Sequence, residues 1–207
     1  MIDSSAGNSL QLIDGQLKDV QRRRELLIRG SRDAIAMASK SIIFMHKGKF
    51  DEAVLQMENA RSTVDQLRPS AQSDLYKYVA VAEQELAEAY CLLAIMNNKP
   101  IPSAESLGIS GPSYLTGILD CVGEVKRLVY DRMRTGREQD AESLFGVMEE
   151  LYDAVYPFAV YDNIVAGLRK KLDVARMLIE DVRASVTEER RRTTLIAAFD
   201  RLRPGSA

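Results

Sequence analysis

The chain has 207 residues, 46% of them hydrophobic and 28% charged, with a formal net charge of −2 and an isoelectric point near 5.6. That length suits one domain with a substantial core, or at most two small ones, and the composition excludes a disordered or fibrous chain. Only 12 glycines and 6 prolines argue against a many-turned β-sandwich, while the near-neutral charge neither announces a nucleic-acid binder nor excludes one, because binding depends on a local basic patch.

The apolar residues follow a 3.6-residue period along the chain, and convincing two-residue alternation is absent. After a loose start, Leu10 to His46 reads as one long helix with a stripe that includes Leu17, Val20, Leu27, Ile35, Ala38 and Met45. Gly48 in "HKGK" ends it. A second helix is expected from Phe50 to about Leu67, stopping before Pro69, and a third from Ser70 to Asn97. The segment "NNKPIPSAESLGISGPS" then links helices rather than domains. Further helices are expected over Tyr114–Met133, Glu138–Tyr156, Asp162–Val186 and Glu188–Leu202. Long helices with short connections predict an all-α fold, an antiparallel bundle of about seven helices forming a single domain over residues 1–207, with 1–9 and 203–207 flexible. "GKFDEAVLQMENA" looks like half of a tetratricopeptide unit, but no 34-residue recurrence follows and the helices are too long.

Cys91 and Cys121 fall among apolar residues of expected helices. They read as small core residues in a reducing compartment, and no Cys/His spacing of a metal site exists. "MIDSSAGNSL" lacks the basic-then-apolar pattern of a signal sequence, and the longest apolar run, "AYCLLAIM", is too short to cross a bilayer. A cytoplasmic protein with no membrane partner is expected.

Two acidic sets stand out. In "VAEQELAEAYCLLAIM", one helical stripe reads Val81, Glu85, Glu88, Leu92, Ile95, apolar at both ends and acidic in the middle. Burial of two like charges is costly unless they are paired or bind a cation. In "YLTGILDCVGEVKRLVYD", Leu115, Ile118, Leu119, Val122, Val125 and Val129 face a core, while Gly117, Asp120, Glu124, Arg127 and Asp131 share another face. Gly117 and Gly123 within that helix suggest close approach of another backbone. Two such faces could meet and hold a hard divalent metal through carboxylate oxygens. From spacing alone a solvated face is the simpler reading, as it is for Glu149 with Asp153 and Glu138 with Glu142.

These residues carry a resemblance. "RELLIRGSRDAIAMASKSIIFMHKGKF", "QELAEAY", "YLTGILDCVGEVKRLVYD" and "YDNIVAGLRKKLDVARMLIEDVRASV" stand in the order found in the translin superfamily. The chain resembles that family from about Arg22 to Val186, closest to its translin-associated factor X branch and, in its compact length, to archaeal-type members. The resemblance implies an all-α protein of about seven helices, assembled into an octameric shell that binds single-stranded RNA or DNA. It implies metal-dependent endoribonuclease activity with Mg²⁺ or Mn²⁺. The family's catalytic and metal-binding carboxylates fall on Glu85, Glu88, Asp120 and Glu124.

RNA needs cationic anchors. Arg22 to Arg24, Arg29, Arg32, Lys40, Lys47 and Lys49 make the first helix basic, and Arg127 lies one turn beyond Glu124, within reach of a phosphate or of the acids themselves. Arg22, Arg29, Arg32, Lys40 and Arg127 are the expected nucleic-acid contacts. "RKK" at Arg169 to Lys171 reads as surface. His46 holds the family's histidine position and reads as a capping or core residue. Three classes of function follow: a homo-oligomeric, metal-dependent endoribonuclease, a non-catalytic single-stranded nucleic-acid-binding shell, and a helical interaction scaffold.

Overall fold

Helix formation begins at Ser4 rather than near Leu10, because the Asp3 carboxylate accepts a hydrogen bond from the Ala6 N–H at 2.8 Å and caps the first turn. The computed structural model describes residues 3–202, and among them finds seven α-helices, one 3₁₀ segment and no strand. The expected flexibility of 203–207 lies outside the described residues. The chain divides into two compact units.

The first unit runs up to Leu93 and takes in Pro102–Ser113. Its frame is α1 (Ser4–His46) and α2 (Phe50–Ala71), joined by a tight turn in which Gly48 adopts φ 71°. The two pack through residues at helical spacing: Leu27, Ala34, Ala38 and Met45 from α1, and Ala53, Met57, Ala60 and Val64 from α2, all 0–1% exposed. At Gly30 a Cβ would stand 2.7 Å from Leu67 Cδ2, so a glycine sets how closely the helices approach. A 43-residue helix paired with one of 22 is no tetratricopeptide pair.

Pro69 does not end α2. It cannot donate to the carbonyl four residues back, but buried Leu67 and Ala71 hold the last turn by packing, and the helix ends at Ala71 before Gln72 turns to φ 47°. As a result α3 (Lys77–Met96) starts later than Ser70. Within the expected linker, α4 (Ala104–Leu107) is capped by Ser103 Oγ, which accepts from Ser106 N–H, and stopped by Gly108 at φ 63°. α5 (Gly111–Arg134) opens before Tyr114, because Pro112 in its first turn forfeits no helical hydrogen bond.

The second unit comprises Ala94–Ile101 and the chain from Tyr114 onward. It contains the rest of α5, α6 (Glu138–Val155), the 3₁₀ turn Tyr156–Tyr161, and α7 (Leu168–Leu202). The two helices expected over 162–202 are one helix starting at Leu168. No Gly or Pro interrupts Val186–Glu188, and the Thr187 hydroxyl donates to Arg183 O at 2.7 Å within the helix. Met148 and Val155 of α6 and Leu168, Leu172, Ala175 and Val182 of α7 are buried and supply core. Cys91 and Cys121 are free, buried thiols. No helix among the described residues is long and apolar enough to cross a membrane.

Candidate functional site

In the first unit, α3 carries three glutamates with three different environments. Val81 is 49% exposed, Glu85 is half-buried, and Glu88 is 9% exposed, with Leu92 beyond it at 0%. The expected stripe is therefore graded, entering from solvent and sinking inward through the acids. Ser39 Oγ of α1 donates to Glu85 Oε2 at 3.1 Å and orients that carboxylate from the neighbouring helix. One turn beyond Glu88, burial pushes the Cys91 thiol up to about 12, helped by the Glu88 charge, so it stays a protonated core thiol.

Glu83 is the most buried acid of the three, at 0% exposure. Its Oε1 accepts from Arg68 Nε at 3.0 Å and Tyr76 Oη at 2.7 Å. Its Oε2 accepts from the Ser110 N–H at 3.2 Å and Ser110 Oγ at 2.9 Å. Four donors from α2, the 72–76 turn and the α4–α5 connection satisfy it, so Glu83 is a structural clamp of the first unit. Sequence reasoning passes over it, although its helical spacing to Val79, Leu86 and Ala87, all buried, is a local sign.

In the second unit, Ile118, Leu119, Val122, Val125 and Val129 of α5 are buried as expected, with Leu115 half-buried. Gly123 does not meet another backbone: a Cβ there would touch only Leu178 Cδ1, at 3.8 Å. Asp120 and Glu124 are half-buried and one turn apart. Asp120 Oδ1 forms an ion pair with Lys171 Nζ of α7, the side chains being 26% and 29% exposed. Lys171 is thus no plain surface residue. Two turns along α5, Lys126 meets Asp181 at 2.7 Å and Tyr130 donates to the same carboxylate at 2.8 Å. Together they hold Asp181 below the usual carboxylate range, Lys126 first and Tyr130 second.

The expected cationic anchors are all exposed: Arg22, Arg29, Arg32 and Lys40 on α1, and Arg127 on α5. Lys40 stands 5.5 Å above the Phe44 ring. Two other arginines of the "RRR" run have structural duties. Arg23 reaches Asp74 at 2.8 Å and Asp19 at 3.0 Å, and Arg24 donates to Tyr78 Oη at 2.8 Å.

Carboxylate oxygens suit a hard divalent cation, and Asp120 already has a cation against it. The first unit carries Glu85 and Glu88 one turn apart, and the second carries Asp120 and Glu124 one turn apart. Among the described residues no group of three or more His, Cys, Asp or Glu side chains is arranged to hold a metal ion. Ser39 on Glu85 and Lys171 on Asp120 are two contacts that sequence reasoning missed. Both lie in motifs that stand out in the sequence for other reasons.

Comparison with known proteins places these residues in a wider group. A family model described as "Translin family" matches residues 81–186, which include all four candidate acids. An uncharacterised protein of Methanocaldococcus jannaschii is 27% identical over 184 residues, 87% of this chain and 82% of that one. The crystal structure of AfC3PO matches with a TM-score of 0.80 at 28% identity, covering 88% of this chain and 97% of that one. AfC3PO in complex with duplex RNA matches with a TM-score of 0.79 at the same identity, covering 88% and 96%. Apo-NeC3PO, at 20% identity and a TM-score of 0.76 over 87% and 96%, shares the fold.

Proposed function

The chain belongs to the Translin family, and from that premise we propose that it binds single-stranded RNA and cleaves it as a metal-dependent endoribonuclease within a homo-oligomeric shell. The observation that carries this reading is the pair of one-turn carboxylate sets, Glu85 with Glu88 and Asp120 with Glu124, of which Glu88 is only 9% exposed. The relative solved with duplex RNA supports an RNA ligand. Retention of all four acids supports a place in the translin-associated factor X branch.

In this reading Glu85, Glu88 and Asp120 would hold Mg²⁺ or Mn²⁺, with Glu124 as a further ligand or orienting a water. Such a cation would supply water activation and positive charge against the scissile phosphate. Ser39 keeps the Glu85 carboxylate aimed. Arg127 takes a phosphate beside the acids, while Arg22, Arg29, Arg32 and Lys40 run along the RNA backbone. Single-stranded DNA would meet the same cations.

The shell has physical support of its own. No residue of α1 before Leu27 is buried, and Leu10, Leu12, Ile13 and Leu17 are 47–70% exposed. Leu195, Ile196 and Phe199 at the far end of α7 are likewise 55–59% exposed. Such apolar area on long helices suits burial against other copies, an octamer in the proposed assembly.

A second reading, a shell that binds single-stranded nucleic acid without cleaving it, is favoured by one observation: Asp120 is engaged by Lys171. Cleavage of a labelled single-stranded RNA separates the two. The wild type with Mn²⁺ is expected to cut and a chelator to abolish cutting. Glu85→Ala or Asp120→Ala should lower the rate by about 100-fold or more while RNA is still retained. Unchanged rates in both variants would leave only the binding role.

A further inference from the structure

Within the second unit lies a cavity of about 590 Å³, walled by the end of α3, the loop 98–101, the end of α5 and the length of α6. Its floor is aliphatic. Ile95 and Leu128 are buried, and Met96, Leu144 and Val147 are half-buried beside them. The slot follows α6 from Asp140 to Glu150, about 15 Å at the helical rise. None of Glu85, Glu88, Asp120 and Glu124 lines it.

The two ends of the slot differ in charge. Arg137 N–H donates to Arg132 O at 2.9 Å, which sets Arg132 at the end where α6 begins. Its neighbours are neutralised, Arg134 by Asp131 and Arg137 by Asp140. Arg132 is half-buried, and among the described residues no carboxylate pairs with it. At the far end Glu150 is exposed. We propose that this cavity binds a small amphiphilic monocarboxylate, with its acid group on Arg132 and its alkyl chain along the aliphatic floor toward Glu150. The volume is that of a small-molecule site. An arginine fork receives a carboxylate through two parallel hydrogen bonds, more strongly where water is partly excluded. No aromatic ring lines the cavity, so a nucleobase has nothing to stack on, whereas an alkyl chain needs only apolar contact. Glu150 repels a second acid group at the open end, so one carboxylate is favoured over two.

Calorimetry on the full chain with decanoate, kept below its micelle concentration, tests this without RNA or metal and so stands apart from the nuclease reading. Decanoate is expected to bind at a single site per chain, with decylamine and decanedioate weaker by about tenfold or more. Arg132→Gln should weaken decanoate by about tenfold and Arg132→Lys by less. Leu144→Trp fills the floor and is expected to abolish binding; Val147→Asp provides the same test where the larger side chain impairs folding. Leu10→Glu combined with Leu17→Glu should leave decanoate affinity unchanged, since these exposed leucines of α1 lie outside the cavity. Absence of decanoate binding overturns the proposal, as does equal affinity for decylamine, which would mean that the chain alone is recognised. Loss of binding in the α1 variant overturns it too, by moving the amphiphile to the exposed helix. A lowered assembly mass in Leu144→Trp, with no decanoate bound by the wild type, would make the cavity a seat for another copy instead.

Discussion

Glu83 and Glu85 stand two residues apart on α3, yet they have opposite duties. Glu83 spends every acceptor site on Arg68, Tyr76 and Ser110 and has no exposure left. Glu85 is half-buried and steered by Ser39. Removing one partner of a buried ion pair strands the other, which costs about 3 kcal/mol, whereas losing one neutral donor costs about 1 kcal/mol. Arg68→Met is therefore expected to lower the urea midpoint markedly more than Tyr76→Phe, with both variants keeping the metal response of the wild type. Equal losses would mean that Glu83 is not clamped by Arg68. Periodicity makes the candidate acids visible, because spacing determines which side chains share a helix face. It is silent on Glu83, whose donors come from residues 68, 76 and 110. The same holds for Asp120: its partner lies 51 residues away.

Among the elements, the α1–α2 pair depends on close approach at one point. Gly30 leaves no room for a Cβ beside Leu67, itself 5% exposed. Gly30→Val is expected to destabilise by about 1–3 kcal/mol through overpacking, and Gly30→Val with Leu67→Ala should recover part of the loss in thermal unfolding. Additive losses would place the strain elsewhere. Several helix ends differ from the sequence reading, each for a physical reason. Pro69 reads as a stop, but burial of Leu67 and Ala71 on either side of it outweighs the one backbone hydrogen bond it gives up. Thr187 reads as a break, but its hydroxyl is satisfied inside the helix. Asp3, as a cap, sets the start of α1 earlier than its first apolar residue. Apolar patterning locates the middle of a helix, and its ends follow from capping and backbone hydrogen bonds.

For the whole molecule, exposed apolar side chains at the start of α1 and the end of α7 are the feature that the chain's own core leaves unexplained. Leu10→Glu combined with Leu17→Glu is expected to reduce the assembly mass measured by light scattering while helicity is retained, because both residues are more than half exposed and serve no intrachain core. An unchanged mass would remove α1 from the subunit contacts. The all-α class, the long helices and the family motifs are written in residue order, since hydrophobic period and local propensity act over a few turns of chain. Which glutamate is a clamp, which lysine neutralises which aspartate, and which of the many arginines remain available to a phosphate depend on partners brought together across helices. Side-chain pairing of that kind is a product of packing, and no local pattern encodes it.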